Sequence, residues 1–198
     1  MKFILLLVLT VAFIGPSFCL EELVLNRETA FEIKIRAHLD EEKENFRFYV
    51  TMPRNYYVSV GFGDGMLNSP VVVIDPTAAG MDGVPVIHDA YSKGRAKPKD
   101  NAENIYTIID STNVGMTSRV TLQRPVVVQR EDRDETIPFD ETLEMIYAFN
   151  PDKYGFHGKY NKGFFTMKVN SGTGDVTFNY GKRNDEPYRV QKIVKGTE

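Results

Sequence analysis

Alternation dominates the chain. Residues 30–39 (AFEIKIRAHL) set apolar and polar side chains in turn, the period of a strand with one buried face. A charged turn at 41–45 (EEKEN) leads into 46–52 (FRFYVTM), which alternates again, so the two segments predict a hairpin. After the Pro53-Arg54-Asn55 turn, residues 56–62 (YYVSVGF) predict a third strand. Residues 71–74 (VVVI) are wholly apolar, the mark of a strand buried on both faces. Further strands are predicted at 84–90, 105–111, 116–122, 142–149, 163–169 and 175–180, the last two closing a hairpin around Asn170-Ser171-Gly172-Thr173-Gly174. No segment keeps a helical period, and no repeat or linker divides the chain. About ten short strands with turns at regular spacing predict an all-β fold, an immunoglobulin-like antiparallel β-sandwich.

The two ends follow other rules. Met1-Lys2 is a short basic start, residues 3–14 are apolar, Gly15-Pro16 breaks the run, and Ser17-Phe18-Cys19 presents small residues where a signal peptidase reads. A membrane span needs about 20 apolar residues, more than this run holds. Residues 1–19 therefore predict a signal peptide cleaved after Cys19, with a secreted, extracellular product and no transmembrane span in the mature chain. Residues 20–180 form the predicted domain, and residues 181–198 a charged C-terminal tail. Cleavage removes the only cysteine, so disulfides, thiolate metal sites and covalent haem attachment are excluded.

Charge narrows the partners. Lys plus Arg number 24 against 27 Asp plus Glu, a net charge of −3, and no basic stripe suggests a nucleic-acid partner. The run 129–135 (QREDRDE) reads as a solvated loop. Gly61-x-Gly63-x-Gly65 lacks the spacing and the following helix of a nucleotide loop. His38 sits within an alternating strand and reads as a strand-face residue. His88-Asp89 reads either as a His–carboxylate pair or as neighbours of which one faces solvent. No Ser-His-Asp or Cys-His set is legible, so the chain is not expected to be an enzyme.

Several segments, in order, resemble the DOMON family. Tyr57-Val58-Ser59-Val60-Gly61-Phe62 is similar to the family strand ending in Gly-Phe, and 65–73 (GMLNSPVVV) to its Met-containing turn and next strand. Pro70 departs from that pattern, standing where the family often has an acidic residue. Residues 86–91 (VIHDAY) resemble the Asp-aromatic segment, and 121–125 (TLQRP) the Arg-Pro element. Residues 146–149 (IYAF), His157 and 162–164 (KGF) resemble the late strand, its histidine and its basic-Gly step. The resemblance covers roughly residues 28–180, and its specificity lies in the ordered set rather than in any one motif.

Haem-binding members of that family ligate b-type haem through a Met of the early turn and a His of the late loop. The resemblance thus implies haem b held by Met66 and His157, with Tyr56, Tyr57, Phe62, Tyr154, Phe156 and Tyr160 as aromatic surface and Arg124 as a partner for a propionate. A thioether and an imidazole fill both axial positions of the iron and favour electron transfer with a redox partner protein. Other readings stay open: His88 in place of His157, a haem-free binding module for a sugar or other small-molecule ligand, and a homo-oligomer or structural subunit of an extracellular assembly.

Overall fold

A computed structural model describes residues 21–25, 32–79, 83–94, 96–151, 154–155, 162–180 and 192–195. Along the chain the strands are β1 (Glu21–Leu25), β2 (Ile33–Leu39), β3 (Asn45–Pro53), β4 (Tyr57–Phe62), β5 (Leu67–Asp75), β6 (Val86–Lys93) and β7 (Lys99–Asp100). They continue with β8 (Thr107–Val114), β9 (Thr117–Pro125), β10 (Gln129–Arg130), β11 (Arg133–Asp134) and β12 (Thr142–Asn150). The last are β13 (Lys162–Val169), β14 (Val176–Tyr180) and β15 (Lys192–Lys195). Among the described residues no helix is long and apolar enough to cross a membrane.

Two antiparallel sheets make the predicted sandwich. One has the order β15-β1-β2-β3-β9-β8, the other β14-β13-β12-β4-β5-β6-β7, and β10 pairs with β11 as a separate ribbon. Ile35, Phe48, Val50 and Leu122 of the first sheet and Val60, Val72, Tyr147 and Phe165 of the second belong to one apolar core between them. The ten predicted strands correspond to β2–β6, β8, β9 and β12–β14. Lys192–Lys195 lies in the segment read from sequence as a tail, yet it pairs with Glu21–Val24 and extends the first sheet. The predicted signal peptide lies outside the described residues.

The two sheets differ on their outer faces. In β2 and β3 buried residues alternate with half-exposed ones, so that sheet turns its outer face to water. In the second sheet Val71 to Asp75 of β5 and Met145 to Phe149 of β12 are buried without a break. Successive strand side chains point to opposite faces, so unbroken burial means that this sheet is covered on both.

Candidate functional site

The outer face of the second sheet carries its own apolar cluster. Tyr57, Val71, Val73, Ala90, Ile146 and Tyr154 are buried together, with Met66 and Phe164 packed against them. The strand register explains the grouping. One rung runs Ala90–Val71–Gly61–Ile146–Phe164, and the rung two residues along runs His88–Val73–Ser59–Ala148–Lys162. Gly61 lets its neighbours close over the strand: a Cβ there would lie 2.6 Å from Val71 Cγ1 and 2.8 Å from Ile146 Cγ1. The result is a buried apolar layer built from small and aliphatic side chains with Tyr57 and Tyr154.

Met66 stands at one end of this surface, in the turn between β4 and β5. Gly63 takes φ of 138°, a backbone conformation that glycine adopts without penalty, and its N–H donates to the Glu144 carbonyl at 2.8 Å. The hydroxyl of Ser69 donates to the Gly65 carbonyl. Fully buried Ser92 donates its hydroxyl to the Met66 carbonyl at 2.5 Å. The backbone that presents the thioether is therefore fixed by two serines and a ladder-like bond.

Tyr57 and Tyr154 occupy the other end. Their rings meet edge to face at 5.7 Å, and the Tyr57 hydroxyl donates to the Gly155 carbonyl at 3.3 Å. Burial first, then the Asp75 carboxylate, pushes the Tyr57 hydroxyl well above its ordinary range. The Tyr154 ring meets the His88 ring at a tilt of 42°, centroids 4.8 Å apart, with Lys97 Nζ 4.3 Å from the centre of the Tyr154 ring. His88 Nδ1 is 3.2 Å from Asp100 Oδ2. His88 and Asp89 do not form the pair considered from sequence, because adjacent strand residues point to opposite faces.

Met66 and Tyr57, expected as site residues, share this face. Phe62 and Arg124 do not. Phe62 is five residues from Tyr57 and so points to the opposite side, into the inter-sheet core beside Phe48. Arg124 follows Val120 and Leu122 at two-residue spacing on β9 and is carried inward with them. Its guanidinium lies 5.0 Å from the Phe62 ring and 5.7 Å from the Tyr106 ring. Its Nε donates to the Pro125 carbonyl at 3.1 Å and its Nη2 to that of Glu135. Arg124 is a core residue, remote from any ligand on the outer face. His157 and Phe156 lie outside the described residues.

The acidic run 129–135 is more than a solvated loop. Arg130 Nη2 lies 2.6 Å from Asp89 Oδ2 and its Nε 2.8 Å from Glu135 Oε1, with both carboxylates buried. Arg133 Nε approaches Glu135 Oε1 at 2.6 Å, and its guanidinium sits 4.2 Å from the Tyr91 ring. This network ties the β10–β11 ribbon to β6. Tyr154, expected among the aromatic side chains near the ligands, packs in the cluster of this face, whereas sequence reading missed Ser92, whose role comes from cross-strand register rather than from any local pattern.

A family model described as DOMON domain matches residues 31–150. Among solved structures, the chain is similar to the cytochrome b domain of pyranose dehydrogenase from Coprinopsis cinerea, with a TM-score of 0.51 and 16% sequence identity. That likeness covers 68% of this chain and 76% of the other. No curated protein matches the chain.

Proposed function

The chain belongs to the DOMON family, and from that premise we propose that its outer apolar face binds haem b and exchanges electrons outside the cell, as a carrier rather than an enzyme. The observation that carries this reading is the second buried cluster, placed beside a methionine whose backbone is fixed. An apolar face suits a porphyrin, and a thioether is an accepted axial ligand of haem iron. The likeness in fold to a cytochrome b domain supports the same assignment. Met66 would supply one ligand to the iron, and His157 is the histidine that the family resemblance implies for the other.

Haem b, when bound, supplies a one-electron couple. The chain's own contribution is to exclude water, through Val71, Val73, Ile146 and Ala90, and to fix the thioether, through Ser92 and Ser69. With the chain supplying two ligands to the iron, haem b would favour electron transfer over oxygen chemistry. The predicted signal peptide fits a secreted carrier that meets a redox partner protein in the extracellular space. Substituting Met66→Ala or His157→Ala and recording the spectrum of the reconstituted protein tests the ligand pair. Each substitution is expected to abolish the six-coordinate spectrum, and six-coordinate haem retained in both would overturn the assignment.

A further inference from the structure

The β8–β9 hairpin ends in an apolar tip. Val114 pairs with Thr117 across the two-residue turn Gly115-Met116, in which Gly115 takes φ of 59°. Turns of this kind normally carry Asn, Asp, Gly or Ser. Here Met116 is 73% exposed and Val114 57%, and neither belongs to the inter-sheet core. A third exposed apolar residue, Val84, follows Gly83, whose carbonyl accepts from Asn113 Nδ2 at 3.0 Å. Scattered exposed apolar side chains are ordinary, whereas several gathered at one projecting turn mark a contact surface.

Positive charge flanks the tip. The Arg54 N–H donates to the Met116 carbonyl at 2.9 Å, which sets the β3–β4 turn against the hairpin. Arg119 stands on β9 between buried Ser118 and Val120, so its side chain points to the wet outer face of the first sheet. Both arginines are exposed, and among the described residues neither pairs with a carboxylate. Asp110 shares that face but pairs with Thr121, farther from the turn. Asp75, at the end of β5, is buried and accepts from Thr77. Asp40, Glu41, Glu42 and Glu44 lead into β3, whereas Arg54 follows it, so the acidic turn and the basic one lie at opposite ends of the sandwich.

We propose that this end of the sandwich attaches peripherally to an anionic lipid bilayer. Val114 and Met116 enter the boundary between headgroups and acyl chains, while Arg54 and Arg119 meet the lipid phosphates and carboxylates. Exposed apolar side chains beside basic ones are the two features that interfacial binding combines. A projecting tip offers no pocket to a protein partner's side chains, and a bilayer yields around it. The acidic turn at the far end is repelled by the same surface and so orients the molecule tip first. The proposal is independent of the haem reading, since none of these residues belongs to the second sheet's outer cluster.

Cosedimentation with vesicles tests it, using phosphatidylcholine alone and phosphatidylcholine mixed with phosphatidylserine. The wild type should bind the mixed vesicles, bind the neutral ones far more weakly, and be released by added salt. Met116→Ser should weaken binding about tenfold. Arg54→Gln combined with Arg119→Gln should weaken it about thirtyfold, at the usual worth of a basic residue near an anionic surface. All three positions are exposed, so melting temperatures should stay at the wild-type value. Lys93→Gln combined with Lys99→Gln makes the same charge change at exposed positions on β6 and β7 and should leave binding nearly unchanged. No sedimentation with either vesicle, equal binding to both, or an equal loss in the lysine pair overturns the proposal. A dimer in solution that Met116→Ser dissociates, without vesicle binding, gives the tip to a second copy and overturns it as well.

Discussion

Replacing Asp89 with alanine removes the buried anion that joins β6 to the β10–β11 ribbon. Its carboxylate accepts from Asn101 Nδ2 at 2.6 Å, from the Ile105 N–H at 3.0 Å and from Arg130 Nη2 at 2.6 Å. Removing one partner of a buried ion pair costs about 3–5 kcal/mol, because the other charge stays buried and uncompensated. Arg130 keeps Glu135 at 2.8 Å, which places the expected loss at the lower end, about 3 kcal/mol. For a chain of this size that corresponds to a fall of roughly 10 °C in Tm. Urea and thermal unfolding of wild type, Asp89→Ala, Arg130→Ala and the double variant measure it directly. The double-mutant cycle should give a coupling of about 1–3 kcal/mol, since the two side chains touch. A loss below about 0.5 kcal/mol for Asp89→Ala, the range of ordinary surface substitutions, refutes the idea that this network holds the ribbon in place.

Gly61→Ala puts a methyl 2.6 Å from Val71 Cγ1 and 2.8 Å from Ile146 Cγ1, and overpacking of this kind should cost about 1–3 kcal/mol in urea unfolding. Ser92→Ala removes the donor to the Met66 carbonyl; a loss of about 1 kcal/mol is expected, together with weaker haem binding in a spectral titration. Burial first, and the Arg47 charge second, holds His38 below its ordinary value of 6.5. The unfolded chain therefore takes up a proton that the fold refuses, so stability should fall as pH drops below about 6.5. His38→Gln should flatten that slope in unfolding curves taken between about pH 7 and pH 5.

The sandwich is legible in sequence because burial on one face imposes a period of two. Residues 33–39 and 46–52 alternate, and the corresponding strands β2 and β3 do have one wet face. The unbroken run at 71–74 also carried information: it marks the sheet that is covered on both sides. The same period separates Tyr57 from Phe62, and Arg124 from the outer face, although motif resemblance had grouped all three. Resemblance orders residues along the chain, whereas the pleat decides which side of the sheet each one serves. Ser92 and Asp100 show no signal in sequence because their contacts depend on strand register. The run 129–135 misleads for a related reason. Its charges look solvated until Asp89, some forty residues earlier, is brought against Arg130.

An absorption spectrum would show whether the outer face holds haem b. The protein, expressed with haem available, would be recorded oxidised and after reduction with dithionite. A sharp Soret band with resolved α and β bands on reduction is the expected result. A featureless visible spectrum, with haem failing to bind on titration, would contradict it.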